Sequence, residues 1–234
     1  LTDPTTSSIS VIIPTLNEAA NLSATLAPLR GVAGVEVIVV DGGSRDETVA
    51  LAEAAGVRVI VASPGRARQQ NLGAAVATGE ILLFLHGDTV LPAAFAGAVR
   101  TALHRPGVVA GAFRLGIGGE GWGLRLVEGL ANRRSRWFGM PYGDQALFLR
   151  RETFAALGGF PEQELLEDFE LVRRLKKMGK IELLPQAVVT SPRRWQRLGV
   201  ARTTLLNQLV IGAYFLGVSP ARLAGWYRGA AGAG

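Results

Sequence analysis

The sequence predicts an α/β fold: a mostly parallel central sheet with helices on both faces, followed by a C-terminal helical extension. Three observations predict it. Short runs dominated by Val, Ile and Leu alternate with stretches of helical spacing through the first half of the chain, as strands buried on both faces do. Each of the first four runs ends in a polar or glycine-rich cluster. From Val200 onward the chain reads as one or two helices, with no further strand.

The elements follow in order. Ile9 to Ile13 is the first strand, and Glu18 to Leu29 has helical spacing. Val35 to Val40 and Val57 to Val61 are the next strands, with helices over about Arg45 to Ala55 and Arg66 to Ala77. Ile81 to Leu85 is the fourth strand and Pro92 to His104 its helix. Two helix starts carry an S/T-x-x-E capping signature, Thr15 to Glu18 and Ser44 to Glu47. After residue 105 the alternation breaks. Val108 to Arg114 and Gln145 to Arg150 read as strands, Leu124 to Trp137 and Glu167 to Met178 as helices, and Ile181 to Leu184 as a short last strand. The expected division is a catalytic domain over 1–190 and a helical extension over 191–234.

With 234 residues, 48% of them apolar, the chain has enough material for one substantial core. Its 25 Lys and Arg against 19 Asp and Glu give a formal charge of +6. Such a balance suits nucleic acid, an acidic membrane surface or a phosphorylated small molecule. The basic clusters lack interleaved aromatics or a recognised nucleic-acid motif, so nucleic acid is not an expected partner. Cysteine is absent, which excludes disulfides and thiolate metal sites. The stretch from Leu1 to Ser10 lacks a signal-peptide pattern, although the chain begins without Met. Leu205 to Val218 is apolar but holds Asn207 and Gln208, and falls short of the ~20 residues a spanning helix needs. A cytoplasmic protein is expected, with peripheral contact at the inner membrane face left open.

In a parallel sheet the polar strand ends share one edge, where open α/β sheets bind ligands. Asp88, beside Gly87 and past a buried strand, can bind a hard divalent cation that also contacts a diphosphate; a turn-capping Asp is the commoner use of that position. Asp41-Gly42-Gly43-Ser44 can meet a ribose or base and permits close backbone approach, although taken alone a plain turn is the better explanation. Glu167 and Asp168 open a helix, where acids ordinarily serve the macrodipole; Asp168 facing the edge could be a general base. Tyr142-Gly143-Asp144-Gln145 is a candidate acceptor-binding cluster. Arg193-Arg194-Trp195 can pair with a diphosphate and stack on a ring, the alternative being a solvated face.

Taken together, these clusters resemble family 2 glycosyltransferases of the Rossmann-like GT-A fold. The matching pieces run from Ser10 to Glu18 and Val39 to Asp46, through Asn71 to Ala75 and Leu83 to Thr89, to Gly158-Gly159-Phe160-Pro161 and Glu167-Asp168. Pro141 to Gln145, Ser191 to Trp195 and Gly217 to Pro220 resemble more closely a bacterial group labelled arsenosugar-biosynthesis-type glycosyltransferases. The resemblance implies that Pro14, Asn17, Glu18 and Asp41 line a nucleoside pocket and that Arg66 and Asn71 approach donor phosphates. It implies Asp88 as the metal-binding Asp of the DxD motif and Asp168 as the base of the ED motif. His86 replaces the first Asp of DxD, and no His follows His104 to help hold a metal.

The implied activity is inverting sugar transfer from a nucleotide diphosphate, a UDP-sugar in the favoured reading, with Mg²⁺ or Mn²⁺, onto a small-molecule acceptor. A non-catalytic nucleotide-sugar-binding protein of the same fold is the alternative. Leu205, Leu206, Leu209, Val210, Ala213 and Tyr214 follow an apolar helical spacing. They are expected to pack on the domain or form a homodimer, with membrane contact as the third option.

Overall fold

A computed structural model describes residues 6–232, with side chains described through residue 226. The stretch beginning at Leu1 therefore starts outside the described residues. One eight-stranded sheet runs through the molecule in the order β3-β2-β1-β4-β7-β6-β8-β5. The strands are β1 (Ile9–Thr15), β2 (Val35–Asp41), β3 (Arg58–Val61), β4 (Ile81–Phe84), β5 (Thr89–Val90), β6 (Val108–Ile117), β7 (Phe148–Arg150) and β8 (Lys180–Thr190). The helices are α1 (Ala19–Leu26), α2 (Thr48–Ala54), α3 (Arg66–Val76), α4 (Phe95–Leu103), α5 (Trp122–Phe138), α6 (Arg151–Ala156), α7 (Glu167–Met178), α8 (Arg193–Leu198), α9 (Val200–Phe215) and α10 (Pro220–Gly232).

β1 to β4 form the parallel part, with β1 between β2 and β4. Alternate residues of these strands face opposite layers, as the strand period of two requires. Val11, Ile13, Leu83 and Leu85 join Leu22, Phe95 and Val99 in one core. Ile12, Leu82 and Phe84 join Phe154, Leu171 and Leu175 in the other. Close approach matters at Gly73 on α3, where an added Cβ would lie 2.5 Å from Ile12 Cγ2.

The other half of the sheet is mixed rather than parallel. β7 runs antiparallel to both β4 and β6, β8 is parallel to β6, and the two-residue β5 pairs antiparallel with the end of β8. Where β7 ends, α5 takes over as partner of β6: the Asn132 side chain bonds both the amide and the carbonyl of Leu115. β8 is far longer than the segment its apolar residues mark, because its pairing with β6 is broken by a register shift around Pro185 before resuming at Ala187. The expected strand from Gln145 begins later, since residues 143–145 form a 3₁₀ turn. The capping signatures also differ from expectation. α1 and α2 begin after Glu18 and Glu47 without side-chain caps. Thr15 and Ser44 serve Asp41 instead.

Candidate active site

The carboxyl ends of β1, β2 and β4 meet at one edge and are tied into a frame. Asp41 is fully buried at the end of β2. Its carboxylate accepts from the amides of Gly43 and Ser44, at 2.9 and 2.7 Å, and from the hydroxyls of Thr15 and Ser44. Asn17, with a positive φ of 54°, bonds across to the same turn: its amide donates to Ser44 Oγ and its side-chain oxygen accepts from the Arg45 amide. Gln69 of α3, a residue the sequence did not single out, donates to the carbonyls of both Thr15 and Val40. These bonds hold the β1 and β2 ends at a fixed spacing.

Two chambers open on this frame and meet at Arg66 and His86, which line both. The first, about 330 Å³, is lined by Pro14, Glu18, Gly65 and Asp88 together with Arg193. Arg193 pairs with Glu18 and approaches Asp88 at 3.3 Å. The other oxygen of Asp88 lies 3.4 and 3.5 Å from the hydroxyls of Thr89 and Thr190. The β5–β8 pairing produces this arrangement, since it lays Thr190 beside Thr89 and brings the start of α8 over the strand end.

The second chamber, about 190 Å³, is lined by Tyr142, Asp144, Asp168 and Arg194, with Asn207 and Val210 of α9 as a wall. Asp168 stands in the first turn of α7. One oxygen accepts from the Gly143 amide at 2.6 Å, the other from the Phe169 amide at 2.8 Å. A Cβ on Gly143 would lie 2.9 Å from Asp168 Oδ2 and 3.1 Å from His86 Nε2, so those two polar atoms converge on the bare glycine. Glu167 is buried and paired with Arg66. Leu166 takes a left-handed φ of 65° to begin α7, a conformation that costs a side-chain-bearing residue about 1–2 kcal/mol. Tyr142 lies under the Arg134 guanidinium at 3.4 Å and edge-on to Phe169, which also meets Tyr214 and Phe215 of α9.

The charges are coupled through these contacts. Burial, helped by the Arg66 charge, pulls His86 down to about 4, so its ring is neutral near pH 7. Arg66 is held above its ordinary value: burial opposes its charge, but Glu167 and Asp168 outweigh that. Asp144 is pushed above the usual carboxylate range, chiefly by burial, and one of its buried oxygens has no hydrogen-bond partner. Burial lowers Arg194 against the pull of Asp144.

Several residues expected at a ligand are placed otherwise. Asp41 spends both oxygens on the protein and shapes the loop bearing Gly42 and Gly43. Asn71 clamps the backbone of Phe160, bonding both its carbonyl and its amide, and does not reach toward phosphates. Gln145 is fully buried and bonds the Phe113 carbonyl, Ser135 and the Tyr142 amide. Trp195 packs with Leu115, Val127 and Val200, away from either chamber. Asp41, Asn71 and Gln145 are polar side chains whose bonding needs the protein meets itself, whereas the buried indole Nε1 of Trp195 has no hydrogen-bond partner among the described residues. Gly87 does line the first chamber, and a Cβ there would lie 3.0 Å from Glu18 Cγ and 3.2 Å from Thr15 Cγ2.

Among the described residues no three His, Asp or Glu side chains converge as a metal cage. Glu18 and Asp88 do face a common cation, the Arg193 guanidinium. Mg²⁺ in particular accepts one or two carboxylates when substrate phosphates and water complete its shell. The residues therefore fit a cation that arrives with a diphosphate and is held through Asp88.

The Glycosyl transferase family 2 model matches residues 10–160, well over half of the chain. Glucosyl-3-phosphoglycerate synthase of Mycolicibacterium smegmatis is 34% identical over 96 residues, which are 36% of this chain and 32% of that protein. A PGL/p-HBAD biosynthesis glycosyltransferase of Mycobacterium tuberculosis is 43% identical over 91 residues, 35% of this chain and 36% of that protein. The chain thus matches about a third of the length of these curated relatives. The mannosyltransferase PcManGT from Pyrobaculum calidifontis, solved with GDP-Man and Mn²⁺, has a TM-score of 0.67 at 24% identity, covering 98% of this chain and 70% of that one. Glucosyl-3-phosphoglycerate synthase from Mycobacterium tuberculosis, solved with Mn²⁺, UDP and glucosyl-3-phosphoglycerate, has a TM-score of 0.63 at 22% identity, covering 87% of this chain and 79% of that one. These structures share its GT-A architecture, and the chain belongs to glycosyl transferase family 2.

Proposed function

We propose that the chain is an inverting glycosyltransferase that takes a sugar from a nucleotide diphosphate, a UDP-sugar in the first instance, to a small-molecule acceptor. One observation carries the reading. Asp168, oriented by two backbone amides, opens on one chamber, while Asp88 and Arg193 open on its neighbour, with Arg66 and His86 at the junction. A base on one side and cationic groups on the other are what in-line displacement at an anomeric carbon needs. The acceptor oxygen gives its proton to Asp168 and bonds the anomeric carbon, and the bond to the diphosphate oxygen breaks with its electron pair leaving on the nucleotide. Arg66 and Arg193 stabilise that departing charge. A bound Mg²⁺ or Mn²⁺, held through Asp88, would neutralise the diphosphate further.

The relatives solved with Mn²⁺ and with UDP or GDP-Man support a nucleotide-sugar donor. We read 1–190 as the catalytic core, and 191–234 as an extension whose Arg193, Arg194 and α9 finish the two chambers. The narrower likeness to the arsenosugar-type group stays part of this proposal and names no substrate. The test is nucleotide release from a panel of UDP- and GDP-sugars with metal varied. Turnover that disappears in Asp168→Asn supports the assignment. Tight donor binding with no turnover on any sugar would favour a non-catalytic binding protein.

A further inference from the structure

α5 and α9 lie side by side with an apolar groove of about 720 Å³ between them. Trp122, Leu126 and Leu130 of α5 line it, facing Val200 and Leu205 of α9. On α5 the stripe continues as Trp122, Leu126, Leu130 and Trp137, one helix face at i, i+4, i+8 and i+15, with Trp122 82% and Trp137 71% exposed. α9 exposes Leu205, Leu209 and Phe215, and Leu216 follows at 88%. The opposite face of α9, at Asn207 and Val210, walls the Asp168 chamber. One helix therefore separates the candidate active site from a large apolar surface, and surfaces of that kind mark interaction sites.

Charge identifies what covers it. Arg133 and Arg136 are exposed on α5 beside the stripe. From Ser191 to Gly234 there is no Asp, Glu or Lys; Arg193 and Arg194 are held at the chambers, while Arg197 and Arg202 are exposed. A second copy docked symmetrically would set these arginines against themselves. An anionic lipid surface complements them, while exposed tryptophans and leucines suit the boundary between headgroups and acyl chains. No described helix is long and apolar enough to cross a bilayer.

We propose that the α5–α9 face seats the protein on an anionic bilayer, with Trp122, Trp137, Leu205 and Leu209 inserted among the lipids and Arg133 and Arg136 on phosphate headgroups. The experiment is flotation of the purified chain with vesicles of phosphatidylcholine alone or mixed with phosphatidylglycerol. Sedimentation velocity without lipid and nucleotide release in solution run beside it. Binding is expected to the mixed vesicles alone. Trp122→Ser with Trp137→Ser should abolish it, and Arg133→Gln with Arg136→Gln should weaken it by about fivefold per lost charge. Nucleotide release with soluble acceptors should persist in both variants, which separates this inference from the proposed reaction. Equal binding to neutral vesicles, or none to either, would overturn it. So would a concentration-dependent dimer that Trp122→Ser dissociates, since the face would then belong to a second copy.

Discussion

The two chambers are built on opposite principles. Around the first, the strand-end residues are committed to the protein: Asp41 to four donors, Asn17 to the neighbouring turn, Gln69 to two carbonyls. Around the second, Asp144 keeps a buried oxygen with no partner, and Asp168 is oriented by amides that leave each oxygen a spare lone pair. A finished frame suits a component common to many reactions, such as a nucleotide. Uncommitted groups suit the chemistry that distinguishes one acceptor from another. Commitment to the protein also costs reach, so residues with the most internal hydrogen bonds are poor candidates for ligand contact.

The contrast can be broken by substitution. Asp168→Asn should lower turnover by about 10³-fold, the usual size of a general-base contribution, with nucleotide affinity by calorimetry nearly unchanged; near-normal turnover would remove the base from the second chamber. In the first chamber, Asp88→Ala should weaken UDP binding in the presence of Mn²⁺ by about tenfold and leave metal-free UDP binding almost intact. Loss of both to the same degree would mean that Asp88 does not act through the cation. Asp41→Ala strands two amides and two hydroxyls, and should cost about 2–4 kcal/mol in chemical denaturation. A cost near zero would show the frame to be dispensable.

The smallest expected effect sharpens the contrast from the other side. Asp144 is raised by burial above its ordinary 3.8, so its folded form holds a proton more tightly than the unfolded chain does. Its contribution is most favourable below that ordinary value and is lost as pH rises through the folded one. Asp144→Asn should therefore be slightly more stable than the parent near neutral pH, with the advantage vanishing as pH falls to about 4. Thermal melts across that range measure it, and a variant less stable at neutral pH would show Asp144 to be structurally paired after all.

Much of the architecture was legible because burial on two faces leaves an unbroken apolar run, as in Val37–Val40 and Ile81–Leu85. β8 was half hidden, since the bulge at Pro185 interrupts its pattern and its last residues alternate only from Val188. β5 was invisible at two residues. In the site, strand order brought Arg66 and Asp88 to the same edge, and the family resemblance added Asp168. Neither could tell whether Asp41, Asn71 or Gln145 spends its hydrogen bonds on a ligand or on a nearby backbone. Those side chains are chemically equivalent until the loops are in place. The resemblance put Arg193 in the region of the metal site, but the strand pairing that brings it to Asp88, between residues about a hundred positions apart, was out of reach.

Arg193 also has a dynamic consequence. It begins α8 and anchors that helix to the sheet through Glu18 and Asp88. On the proposed function, a cation arriving with the nucleotide and held at Asp88 would compete with the guanidinium for the same oxygen, so the arginine would have to turn toward the diphosphate or let go. Either movement would pull on the short α8 and, through its contacts, on the helix that roofs the opposite compartment. The two compartments would then not fill independently of each other.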